Sequence, residues 1–102
     1  MSGFIGRVVG AKGCFLQVGA GTITPPNGAK ITALGVHATA NITNFKYTPR
    51  SNSSTLTQVT VTTLHGWIGV SLTPSAVTAF IPLEFAADSV AVASGSVMAY
   101  FD

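Results

Sequence analysis

Apolar and hydroxyl-bearing residues alternate most cleanly between Thr55 and Leu64, where Val59 and Val61 take turns with Thr60 and Thr62. Side chains of a strand point to opposite faces with a period of two, so this stretch predicts a sheet with one buried side. A second alternation runs from Val77 to Phe85. There Val77, Ala79, Ile81, Leu83 and Phe85 are apolar, Thr78 and Glu84 point the other way, and Phe80 breaks the pattern. Pro82 has no amide donor, which predicts an edge strand or a strand end near that point. Four further stretches read as strands: Phe4 to Val9, Cys14 to Val18, Lys30 to Ile42 and Val90 to Tyr100. Val, Ile and Thr dominate throughout, and their branching at Cβ suits a pleated surface better than a helix.

Turn chemistry separates these stretches. Gly10-Ala11-Lys12-Gly13, Gly19-Ala20-Gly21, Pro25-Pro26-Asn27-Gly28, Ser51-Asn52-Ser53-Ser54 and Ser94-Gly95-Ser96 all carry the residues that accept tight or left-handed backbone. Asn27-Gly28 tolerates positive backbone torsions, and Pro26 presets the approach to them. Asn44 to Ser54 has no convincing strand pattern and is expected to be an exposed loop. The expected fold is all-β: a small antiparallel β-sandwich or barrel of about six to eight short strands, forming a single domain over residues 1–102.

Composition changes the picture in one respect. Five Lys or Arg and three Asp or Glu make only 8% of the 102 residues charged, while 47% are hydrophobic. Soluble domains usually carry about a quarter of their residues as charges, so much of this surface is expected to be interface, as in a homo-oligomer. A mean hydropathy of +0.51 raises the question of a membrane span. Pro82, Glu84, Asp88 and Gly95 interrupt the most apolar stretch, so no spanning helix is expected. Arg7 and Lys12 fall within or after the first apolar run, the wrong order for a secretory signal, and production in a cytoplasm is expected.

Chemistry of the catalytic kind finds little support. His37 and His65 are the two candidate bases near neutral pH, and each reads as a strand-surface or turn residue. Cys14, beside Phe15 and Leu16, reads as a small buried apolar residue. Glu84 and Asp88 read as a solvated turn rather than a carboxylate pair. One cysteine and two separated histidines cannot make a structural zinc site, and Pro25-Pro26 after Gly19-Ala20-Gly21 forbids a phosphate-cradling helix start. No enzyme, cofactor or metal is therefore expected. The five basic residues are scattered, with Lys46-Tyr47-Thr48-Pro49-Arg50 the one hint of a basic patch, so nucleic acid is not an expected partner. The sequons at Asn41 and Asn52 are expected by chance in a chain so rich in Ser and Thr.

Trp67, flanked by Gly66 and by Ile68-Gly69, is the strongest single contact candidate, with burial in the domain's own core as the competing reading. Tyr47 and Arg50 complete the candidate interface residues.

The last third of the chain, Phe80-Ile81-Pro82-Leu83-Glu84-Phe85 followed by Asp88-Ser89-Val90-Ala91-Val92-Ala93-Ser94-Gly95-Ser96-Val97-Met98-Ala99-Tyr100, resembles the C-terminal part of small all-β virion proteins of tailed bacteriophages. In those an "I-P-A-G" turn leads to a strand and then to "S-G-x-V-x-A-Y". Pro26-Asn27-Gly28-Ala29-Lys30-Ile31-Thr32-Ala33-Leu34 is similar to their "P-x-G-x-x-I-x-A-I" stretch, and Leu83-Glu84 stands where the pattern has Ala-Gly. The resemblance implies a capsid decoration or head-fibre-like protein, located in the virion, whose partner is the major capsid protein or another virion protein. The class that competes with it is a carbohydrate- or receptor-binding β-sandwich module acting through Trp67 and Tyr47.

Overall fold

The structure, a computed structural model, describes residues 11–49, 57–62 and 68–102. Within them the fold is all-β and antiparallel. Seven strands run in the order β1 (Cys14–Val18), β2 (Gly21–Ile23), β3 (Ile31–Tyr47), β4 (Val59–Val61), β5 (Ser71–Leu72), β6 (Ile81–Ala87) and β7 (Ser89–Phe101), and all belong to one sheet.

Two long strands organise it. β3 and β7 pair along nearly their whole length, from Ile31 opposite Phe101 to Lys46 opposite Ser89. A straight pair of this length could not enclose a core, and the ladder instead breaks register repeatedly between Val36 and Asn44. Extra residues in one strand of a pair bend it and increase its twist. At the bend Gly95 adopts φ +87. A Cβ there would fall on the Thr39 carbonyl oxygen and on Ala40, so only glycine lets the two backbones approach this closely.

The neighbouring strands bend on the same line. β1 pairs with the later half of β7, Cys14 opposite Tyr100 to Val18 opposite Ser96, and β2 pairs with its earlier half, Gly21 opposite Val92 to Ile23 opposite Val90. Between them Gly19, at φ +80, donates its amide to the Gly95 carbonyl at 2.7 Å. On the far side, β6 pairs with the first half of β3, while β4 and β5 pair with its second half. The sheet therefore folds over into two sandwich-like layers that share β3 and β7. The shortest dimension of the molecule, 24 Å, accommodates two layers about 10 Å apart with their outward side chains.

Residues directly opposite one another fill the space between the layers. Leu34 faces Ala99, Val36 faces Val97, Ile42 faces Val92 and Phe45 faces Val90, all of them buried. Ile23, Ile31 and Phe101 join the same cluster. Each large aliphatic or aromatic side chain fully buried here contributes about 1.5–3 kcal/mol. No polar side chain is buried among the described residues, so this core is held by apolar contact alone.

Several expectations change. Val77 to Ala79 lie in a turn rather than a strand, because Ser75 and Thr78 satisfy each other: the Ser75 amide donates to Thr78 Oγ1 at 2.9 Å and the Thr78 amide to Ser75 Oγ at 3.2 Å. Ser94-Gly95-Ser96 is a bend inside β7, not a turn between strands. Asn44 to Tyr47, expected in a loop, continue β3, since Phe45 supplies a core side chain and its neighbours pair with β4 and β7. Cys14 is exposed rather than buried, because it points away from the core on β1. Pro82 lies, as expected, on a strand at an edge: among the described residues β6 pairs only with β3. The strand continues past it without a turn. Of Thr55 to Leu64, the described part forms the short β4, and Phe4 to Val9 lies outside the described residues.

Gly95→Ala is expected to cost about 1–3 kcal/mol, as forced overpacking does, with the added strain of a positive φ. Urea unfolding checks this; an unchanged midpoint would mean that the bend does not depend on a bare backbone at Gly95.

Candidate interaction surface

The corner between β6 and β7 gathers most of the polar contacts made by one side chain. Asp88, only 15% exposed, accepts hydrogen bonds from Lys30 Nζ, Thr48 Oγ1 and Gln58 Nε2, the last at 3.0 Å. Its own amide donates to the Lys46 carbonyl at 2.6 Å. Lys30 immediately precedes β3 and Thr48 immediately follows it, so one carboxylate ties both ends of that strand to the corner. Asp88 is thus no solvated turn residue. Burial alone would raise its pKa, but the hydrogen bonds from Lys30, Thr48 and Gln58 and the Lys30 charge outweigh it and bring the value from 3.8 to about 2.

A second carboxylate lies nearby. Asp102 accepts from Thr32 Oγ1 at 2.6 Å and from the Ala11 amide at 3.0 Å, while Lys12 Nζ reaches the Gly28 carbonyl at 3.0 Å. These ionic side chains are engaged within the chain, at one end of the sheet.

The opposite character prevails along β1. Among the described residues β1 pairs on one side only, with β7, and it contains no charge and no proline. Leu16 is 41% exposed and Val18 is 69% exposed. Their cross-strand partners Met98 and Ser96, and Tyr100 opposite Cys14, extend the same neutral face across β7. Phe80, 44% exposed, leans on Tyr100 with ring centres 6.1 Å apart. Natural sheet edges are normally guarded by charge, proline or a bulge, and Cys14–Val18 has none of these.

On the other side of β1, Phe15 opens onto a groove of about 490 Å³ that Gln17, Thr22, Thr24, Pro26 and Phe101 also line. Half of the Phe15 side chain is exposed there. Gln17 Nε2 is turned toward the carbonyls of Gly19 and Ala20, at 3.4 and 3.3 Å.

Of the residues singled out from the sequence, Tyr47 stacks on Phe85 with ring centres 4.4 Å apart and planes 6° from parallel. It is half-buried and packs against the core, a position that gives it a structural task of its own. Trp67 and Arg50 lie outside the described residues, as does His65. His37 sits exposed on β3. Sequence reading passed over Leu16, Val18 and Phe15 because isolated apolar residues in a strand predict a core; the absence of any charge in β1 was the available signal. Among the described residues no group of three or more His, Cys, Asp or Glu side chains could hold a metal, and no helix is long and apolar enough to cross a membrane. No known protein family, curated protein or solved structure matches the chain.

The depressed pKa fixes the sign of a pH effect. Asp88 binds its partners as a carboxylate, so its stabilisation is fully present above 3.8 and is lost as pH falls through about 2. Asp88→Asn should be less stable than the parent at neutral pH and should lose less stability than the parent on acidification across that window. Thermal melts of both proteins from neutral to strongly acidic pH check this; parallel curves would deny the carboxylate its role.

Proposed function

We propose that this chain is a non-enzymatic virion structural protein, a capsid-associated decoration or accessory protein that assembles with copies of itself and with a capsid shell. The observation that carries the reading is the unguarded, uncharged face of β1 and β7, exposed while the described carboxylates are held in contacts within the chain. Burying neutral Leu, Val and Ser surface avoids the cost of desolvating charge, so such a face docks with little penalty. A specific interface needs about 800 Å² on each partner, and a four- to five-residue apolar strand with its neighbours supplies the centre of one. The virion itself comes from the resemblance of the Ile81 to Phe85 and Ser94 to Tyr100 segments to phage virion proteins. Its location would be the assembled particle and its partner the major capsid protein.

A second reading, a carbohydrate-binding module, draws support from the Phe15 groove, where an exposed ring lies among Gln17, Thr22 and Thr24. An aromatic face flanked by amide and hydroxyl groups suits a sugar ring. Glycan-array binding that disappears in Phe15→Ala would favour this reading; an array without signal would remove it.

Leu16→Asp combined with Val18→Asp is expected to abolish self-association while leaving the melting temperature within a few degrees of the parent, because both side chains are already partly or largely exposed. Light scattering coupled to size exclusion, with circular dichroism as the control for folding, reads both effects. A parent that is monomeric at micromolar concentration and fails to sediment with capsids would overturn the assembly reading.

A further inference from the structure

The turn that leads into β3 combines a reactive dipeptide with an unrestrained geometry. The Ala29 amide donates to the Pro26 carbonyl at 3.0 Å, closing a four-residue turn with Asn27 and Gly28 at its centre. Gly28 adopts φ +83, and the space where a Cβ would sit is empty. Asn27 and Gly28 are both exposed. Neither the Asn27 side chain nor the Gly28 amide has a hydrogen-bond partner among the described residues.

We propose that Asn27 is a site of spontaneous deamidation, and that the folded protein acquires a carboxylate there. The Gly28 amide nitrogen gives up its proton to solvent and attacks the side-chain carbonyl carbon of Asn27. A new C–N bond closes a five-membered imide, and the side-chain nitrogen leaves as ammonia. Water then opens the imide at either carbonyl, giving aspartate or isoaspartate, with no change in oxidation state. Glycine suits the attacking position because it brings no side chain to crowd the nitrogen. The Lys12 ammonium, held on the Gly28 carbonyl at 3.0 Å, favours the deprotonated amide by simple charge attraction.

The two other asparagines described are placed differently. Asn41 and Asn44 lie within β3, are half-buried, and are followed by Ile42 and Phe45, both core residues whose backbone is fixed by strand pairing. Selectivity for Asn27 follows from the fold as well as from the dipeptide.

The new charge would matter locally. Asn27, Gly28, Lys30 and Asp88 line one cavity of about 420 Å³, so a carboxylate at residue 27 competes with Asp88 for Lys30 and adds a partner for Lys12. The formal net charge of +2 falls by one.

The test is to hold the folded full-length protein at mildly alkaline pH and follow it by ion exchange and by mass spectrometry of its tryptic peptides. Cleavage after Lys12 and Lys30 isolates the peptide 13–30, and fragmentation separates Asn27 from Gln17. The expected result is a growing acidic species, a gain of one mass unit at residue 27, and a mixture of isoaspartate and aspartate. Asn27→Gln should lose the acidic species, because its longer side chain closes a ring less readily, and Asn27→Asp should elute with it from the start. Two results would overturn the proposal: conversion at Asn41 or Asn44 ahead of Asn27, or an intact Asn27 in the folded protein under conditions where the urea-unfolded protein converts.

Discussion

The attachment of Asp88 to both ends of β3 is the contact on which the folded-over sheet depends. A strand of seventeen residues that begins beside Ala87 and ends beside Ser89 must turn its path back on itself, and the chain spends conformational entropy to do so. Lys30, Thr48 and Gln58 converge on a single carboxylate at the point where the two halves meet. Hydrogen bonds to a charged acceptor are roughly twice as strong as neutral ones, and shielding from solvent strengthens them further. The apolar core behind them is indifferent to direction. The polar corner gives it one.

At the other end of the molecule the constraint is steric. Gly19 and Gly95 bring β1, β2, β7 and β3 round the same line, and the register breaks of β3 accommodate the turn. Closure at the Asp88 corner and bending at the Gly95 line are complementary: without the bend the ends of β3 could not meet, and without the corner the bent layers would have only apolar contact to hold them. The remaining core residues, Ile23 from β2 and Ile68 from a loop, fill the space these two devices define.

This division of labour bears on function. With the described acidic groups drawn into the closure, the β1 flank is left neutral, and its exposed Leu16 and Val18 form a surface that water solvates poorly. A low-charge chain is therefore less a chain without an interface signal than one whose polar groups are committed elsewhere. Tyr47 illustrates the same economy from the opposite direction, since the aromatic ring most suited to a partner is stacked on Phe85 within the domain.

Local pattern alone determined the class of fold and much of its punctuation. Cys14 to Val18 was legible as a strand from its apolar run between glycine turns, and β7 from its Val and Ala repeats. The Pro26 to Gly28 turn and the edge position of Pro82 followed from backbone chemistry that acts within a few residues. Tertiary structure decided the rest. Gly95 became a bend within a strand because Thr39 and Ala40 press against it from a different part of the chain, and Asp88 became a clamp because Lys30, some sixty positions earlier, arrives beside it. Whether Leu16 faces a core or the solvent depends on which strands cover it, and side-chain periodicity states only that a face exists, never what lies opposite.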